Sequence, residues 1–113
     1  EDALGPLEIL NGGKLDGVRI LAPRTAALMT TNQSGTLPPG NGLGFGLGFQ
    51  TIDRYGAKGM AAVGAFGWGG AYGTTYEVDP ASRMVLVLML QLMPNATNIG
   101  EKFPLTVYQS LVD

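Results

Sequence analysis

Apolar residues follow two rhythms along the chain, a helical one near both ends and a period-two one between them. Leu4, Leu7, Ile9 and Leu10 follow Asp2, a residue suited to capping a helix N-terminus, and Pro6 fits a first turn. A short amphipathic helix is expected there, stopped by Asn11-Gly12-Gly13. Val18-Arg19-Ile20-Leu21 reads as a brief extended piece. Pro23 then opens a second helix over residues 23–31, with Ala26, Ala27, Leu28 and Met29 on its buried side. Residues 32–41 form a loop, because Pro38-Pro39-Gly40 forbids regular structure.

From residue 42 the rhythm changes to period two. Glycine alternates with Leu43, Phe45, Leu47 and Phe49, which places the large side chains on one face of a strand over residues 42–52 and bare backbone on the other. Glycine weakens a strand, so such a row points to close approach of another backbone or a ligand, with close sheet packing the simpler purpose. Residues 53–59 read as a turn, and 61–68, 72–78 and 84–92 as three further strands. Asp79-Pro80-Ala81-Ser82 makes the last connection a tight turn and the last two strands an antiparallel hairpin. A final helix is expected over residues 104–112, with Leu105, Val107, Tyr108, Leu111 and Val112 on its apolar stripe. The expectation is an α+β fold: an antiparallel sheet of three to four strands with flanking helices, one partial domain over residues 1–113.

Composition narrows the chemistry. With neither cysteine nor histidine, the chain can form no disulfide framework, no Cys/His zinc site and no imidazole-based catalytic arrangement. A net charge of -2 with seven scattered basic residues gives no footprint for nucleic acid. The longest apolar run, residues 84–90, is far short of the ~20 residues of a membrane-spanning helix and reads as core. The opening Glu1-Asp2-Ala3 carries no initiator Met and no basic leader, as if cut from a longer chain, and the compartment is left open. No cofactor is implied.

The richest stretch is Ala65-Phe66-Gly67-Trp68-Gly69-Gly70-Ala71-Tyr72-Gly73-Thr74, followed by Tyr76-Glu77-Val78-Asp79-Pro80. Glycines around a lone Trp let a substrate lie against the peptide backbone and leave main-chain N–H groups free to donate. This stretch resembles the serine β-lactamase-like superfamily, the penicillin-binding-protein-type hydrolases that include class C β-lactamases, D-Ala carboxypeptidases and family VIII carboxylesterases. Residues 10–25 and 29–33 resemble the family's helix, linker and helix ahead of its final strands, so the resemblance covers nearly the whole chain. It implies that Trp68-Gly69-Gly70 stands for the third family motif, elsewhere Lys-Thr-Gly or His-Thr-Gly. It further implies that the Ala71 N–H is an oxyanion-hole donor and that Trp68, Gly69, Gly70 and Tyr72 line the substrate pocket. Losing one such donor costs roughly 3 to 4 kcal/mol of transition-state stabilisation.

The other two family motifs are absent. The residues three before Lys14, Lys58 and Lys102 are Asn11, Tyr55 and Ile99, so there is no Ser-x-x-Lys nucleophile, and no tyrosine begins a Tyr-x-Asn. Ser34, Ser82 and Ser110 have no recognisable base. The expectation is the C-terminal segment of a serine hydrolase that acts on a small ester or amide by acyl-enzyme chemistry, inactive alone, and that associates with a missing N-terminal portion or with itself. A non-catalytic binding or structural module that keeps the hydrolase-like sheet is the alternative. Trp68, offering an apolar face where Lys-Thr-Gly offers a cation, favours neutral esters over carboxylated lactams, unless Arg54 or Lys58 supplies the charge. Among lesser signals, Asp53 and Glu77 read as solvated positions rather than a carboxylate pair. Asn95-Ala96-Thr97 matches a common glycosylation pattern, and Tyr72 and Tyr76 read as strand packing or a pocket rim.

Overall fold

The computed structural model describes residues 11–70, 72–92 and 98–111. The first expected helix and the Asn95-Ala96-Thr97 pattern lie outside them. Among these residues the architecture is α+β: a two-stranded hairpin, a five-stranded antiparallel sheet whose strands neighbour one another in chain order, and two helices.

The small hairpin joins β1 (Lys14–Leu15) to β2 (Val18–Arg19), pairing Lys14 with Arg19 and Leu15 with Val18. Asp16 and Gly17 between them both take positive φ, 51° and 81°, as a two-residue hairpin turn of that twist requires. The extended piece expected at residues 18–21 is therefore half of a hairpin, turned by Asp16-Gly17. Helix α1 (Pro23–Met29) starts at the expected proline and ends two residues early, where Thr30 turns its hydroxyl onto the Ala26 carbonyl at 3.1 Å.

The stretch expected as one strand over residues 42–52 is a correction: it folds back as β3 (Leu43–Phe45) and β4 (Gln50–Ile52). Gly48, at φ 95°, allows the reversal, and Gly46 N–H closes the turn on the Phe49 carbonyl at 2.8 Å. Leu47, expected on the strand's packed face, sits at the exposed turn tip. The close approach inferred from the glycines is real, but its partner is the chain leaving α1. A Cβ on Gly44 would stand 2.3 Å from the Asn32 side chain, and one on Gly46 would stand 2.1 Å from the Met29 carbonyl oxygen. Leu47 N–H donates to that same carbonyl at 2.9 Å, and Gln33 N–H to Phe45 O at 2.8 Å.

Strands β5 (Phe66–Gly69), β6 (Thr75–Asp79) and β7 (Met84–Leu88) complete the sheet; β5 starts five residues later than expected, β6 starts three later and β7 ends four earlier. The sheet thus has five strands where three to four were expected, the extra one coming from the divided glycine-rich segment. In the β6–β7 hairpin, Asp79 Oδ1 accepts the Ser82 N–H at 3.1 Å, as its turn chemistry anticipates.

Helix α2 (Ile99–Gln109) begins five residues before the expected start, leaving Pro104 in its interior. The Asn98 carbonyl opens the helix by accepting from Glu101 and Lys102 N–H at 3.1 and 3.0 Å. An interior proline removes a helical hydrogen bond and costs about 3 kcal/mol. Packing offsets that cost: Phe103, Val107 and Tyr108 join Ile52, Ala61, Ala65 and Leu86 in the core beneath the helix.

Candidate functional site

Trp68 and Gly69 lie at the outer end of β5, opposite Tyr76 and Thr75 of β6. The ladder runs one step further: Gly70 N–H donates to Thr74 O at 2.8 Å, and Gly73 N–H returns to Gly70 O at 3.1 Å, closing the connection to β6. Ala71, assigned the oxyanion-hole N–H, lies outside the described residues. Gly70 thus has its amide engaged within the sheet rather than free for a ligand.

Trp68 is 51% exposed, an unusual state for the largest apolar side chain of a small domain. Phe45 meets it edge-on at 5.0 Å between ring centres, so one side of the indole is supported and the rest faces solvent. With Gln50, Lys58, Gly69 and Thr75 it lines a shallow depression of about 340 Å³. Behind this ring a second aromatic group locks the strands, with Phe49 edge-on to Phe66 at 5.1 Å and to Tyr76 at 6.3 Å. Burial raises the Tyr76 phenol above its ordinary value.

Tyr72 does not join Trp68. It borders a separate depression with Thr74, Leu90 and Gln91, and its carbonyl accepts the Leu92 N–H at 3.0 Å. Thr74 ties the two chain segments of that second site together, its hydroxyl donating to Leu90 O at 3.1 Å and accepting from Leu90 N–H at 3.2 Å. Of the described pocket residues, then, Trp68 and Gly69 share one cavity, Tyr72 lines another, and Gly70 sits in the turn between them.

Among the possible cations, Arg54 is spent at the far end of the β3–β4 hairpin, where its guanidinium donates to Asn41 O at 3.0 Å. Lys58 does reach the Trp68 depression. Its ammonium is 3.4 Å from Glu77 Oε2, an ion pair with one half-exposed and one buried partner. Ser34 and Ser110 have structural roles: Ser34 Oγ donates to Asn32 Oδ1 at 2.9 Å, and Ser110 Oγ to Val107 O at 2.6 Å.

Glu77 is a correction to the sequence reading. It is 4% exposed, not solvated, and its partner is not Asp53 but Asp79, which is fully buried two residues along the same strand. Period two places both carboxylates on the face that α2 covers, opposite Leu86 and Met84 of β7. Tyr108 meets them from the helix: its hydroxyl donates to Asp79 Oδ2 and lies 3.2 Å from Glu77 Oε1. Burial first, then the bond to Asp79 and the charges of Glu77 and Asp79, push the Tyr108 phenol far above its usual range. Asp53 instead accepts from Asn32 Nδ2 at 2.8 Å and Thr51 Oγ1 at 3.1 Å. The available signal was two acids at i and i+2 flanking Val78, with one tyrosine on the helix that crosses the strand.

Comparison with known proteins bears on the whole arrangement. The family model described as Beta-lactamase matches residues 7–107. Two curated proteins of Mycobacterium tuberculosis, "Uncharacterized protein MT1414" of strain CDC 1551 / Oshkosh and "Protein Rv1367c" of strain ATCC 25618 / H37Rv, are each 31% identical over matches covering 77% of this chain and 25% of their own length. The solved structure "EstCE1, a hydrolase with promiscuous acyltransferase activity" superposes with a TM-score of 0.66 at 30% identity, covering 90% of this chain and 26% of that one. The chain thus spans about a quarter of the length of these relatives. With that family model matched from residue 7 to residue 107, the chain belongs to the β-lactamase family.

Proposed function

We propose that this chain forms one wall of an acyl-transfer pocket in a serine hydrolase that acts on neutral esters through an acyl-enzyme intermediate, and that it is inactive alone. The observation that carries this reading is the half-exposed Trp68 beside Gly69 on a ladder strand: an apolar ring and bare backbone at the edge of an open depression. A backbone donor fixed by a strand needs no reorganisation as charge develops on a carbonyl oxygen, and the Ala71 N–H is the donor assigned to that role. The attacking hydroxyl comes from a partner portion that bears Ser-x-x-Lys. There the serine adds to the ester carbonyl, the alcohol leaves with a proton, and water hydrolyses the acyl-serine.

Substrate class follows from charge. Arg54 does not line the depression and Lys58 is paired with Glu77, so the depression beside Trp68 has no uncommitted cation among its described residues for a substrate carboxylate. The similarity to EstCE1, a hydrolase with promiscuous acyltransferase activity, supports acyl-transfer chemistry.

The test is complementation. Mixed with a partner chain carrying Ser-x-x-Lys, this chain is expected to restore hydrolysis of p-nitrophenyl butyrate and labelling by a fluorophosphonate, with a carboxylate-bearing ester turned over more slowly. A stable complex that neither labels nor hydrolyses the butyrate points to the non-catalytic module instead.

A further inference from the structure

The buried acids of β6 and the open depression of β5 are one continuous structure. Gln50, Gly67 and Glu77 stand in a single row across β4, β5 and β6. Gly67 carries no side chain, so the row has a gap between Gln50 and Glu77, and one step outward lie Gly69 and Thr75, which line the depression. Lys58 bridges both parts: it pairs with Glu77 and lines the depression with Trp68 and Gly69.

Three elements converge on Glu77. The turn over residues 54–60 brings Lys58, held where Ala57 N–H donates to Arg54 O at 3.2 Å and Ala61 N–H to Lys58 O at 3.3 Å. That turn rests on α2, since a Cβ at Gly59 would stand 3.0 Å from the Leu105 side chain. Helix α2 brings Tyr108, and β6 carries the carboxylate itself. The charged and titratable groups around Glu77 are thus Lys58, Asp79 and Tyr108. Two buried carboxylates face one ammonium and one hydroxyl, so neither donor is redundant: losing either leaves buried negative charge short of a partner.

We infer that Lys58 and Tyr108 are positioning residues for the Trp68 pocket: by gripping Glu77 from the turn and from the helix, they hold the Gly67–Gly69 backbone and the Trp68 ring in the arrangement the site needs. The inference deepens the proposed hydrolase reading and rests on it for its catalytic meaning, but the grip itself is a property of this chain. Lys58 contacts no reacting atom in this scheme. Its ammonium is committed to Glu77.

The protein has a single tryptophan, so its fluorescence reads this site alone. Acrylamide quenching of Trp68 is to be measured on the full chain for the wild type, Lys58→Met, Lys58→Arg and Tyr108→Phe, alongside far-UV circular dichroism. Lys58→Met and Tyr108→Phe are expected to raise the quenching constant, up to about the twofold ceiling set by an indole that is already 51% exposed. Lys58→Arg, which keeps the ion pair, is expected to restore the wild-type value. If Lys58→Met does not fold, Lys58→Met with Glu77→Gln removes the unpaired charge and is expected to show the same rise. Wild-type quenching in every folded variant that lacks the grip would overturn the inference, even if thermal stability falls, because a merely structural contact moves stability and not the Trp68 environment. Failure of the hydrolase reading is separate: it is inert wild-type chain in the complementation assay, whatever Trp68 reports.

Discussion

Strands β5 and β6 are joined through four residue pairs, yet they handle polarity in opposite ways. At its outer end β5 is bare: Gly67 and Gly69 flank a Trp ring left half in water. Opposite Gly67, β6 places Glu77, and two residues further inward a second carboxylate, both out of water under α2. A strand that serves a pocket gives up side-chain packing to free its surface, and its neighbour can compensate only if its own geometry is rigid. Paired charges with no spare donors provide that rigidity at the cost of desolvation. Among the described residues, every buried side-chain polar atom has a partner, so the cost is met by hydrogen bonding rather than left as strain.

The sharpest way to break the contrast is to give β5 a side chain where it has none. A Cβ on Gly67 would stand 2.2 Å from the Tyr76 carbonyl oxygen, a backbone atom that moves only if the two strands part. Gly67→Ala is therefore expected to cost about 3 kcal/mol, the upper end of the usual overpacking range, read as a lower denaturant midpoint. A change within experimental error would mean that the strands are not so closely apposed.

Next comes the opposite trade, removing charge from β6. Asp79→Ala deletes the acceptor of both the Tyr108 hydroxyl and the Ser82 N–H. It also relieves repulsion with Glu77, which can then take the whole Tyr108 bond. The net expected loss is about 2 kcal/mol, since unmet buried donors cost about 1 to 3 kcal/mol each and the relief offsets part. A variant more stable than wild type in chemical denaturation would show that repulsion dominates the pair.

The same contrast explains what could be read from the chain. The β6–β7 hairpin was legible because Asp79-Pro80 is local turn chemistry with one solution, and α1 because Pro23 marks its start. The glycine-rich segment misled because alternation fixes faces, not length: the reversal at Gly48 depends on the segment after α1 packing onto Gly44 and Gly46, a contact between distant parts of the sequence. Pro104 misled in the same way, its local preference for a first turn losing to the burial of Phe103 and Tyr108. At the candidate site, motif and family resemblance drew attention to Trp68 and Gly69, which line one depression. Glu77, Asp79, Tyr108 and Lys58 were not, because their burial is created by a helix and a turn that only the fold brings over β6.

The smallest expected effect is also the most specific. Tyr108→Phe removes the shared donor but keeps the packed ring, so at neutral pH the loss is about 1.5 kcal/mol, the lower end for a hydrogen bond to a charged group. Its signature lies at alkaline pH. In the unfolded chain a phenol ionises near pH 10, whereas burial and the two carboxylates keep Tyr108 protonated in the fold well beyond that. Above about pH 10 the unfolded state therefore binds fewer protons than the folded one, and stability falls as pH rises; below it, the Tyr108 contribution is fully present. Tyr76, raised by burial alone, adds to the same fall. Replacing Tyr108 deletes its share of the slope, so the stabilities of wild type and Tyr108→Phe are expected to converge between neutral pH and pH 11 in denaturant titrations, with the Tyr76 share surviving in both. Parallel curves across that range would mean that Tyr108 ionises as freely in the fold as in the unfolded chain, and that the hydroxyl between the two acids is not held as described.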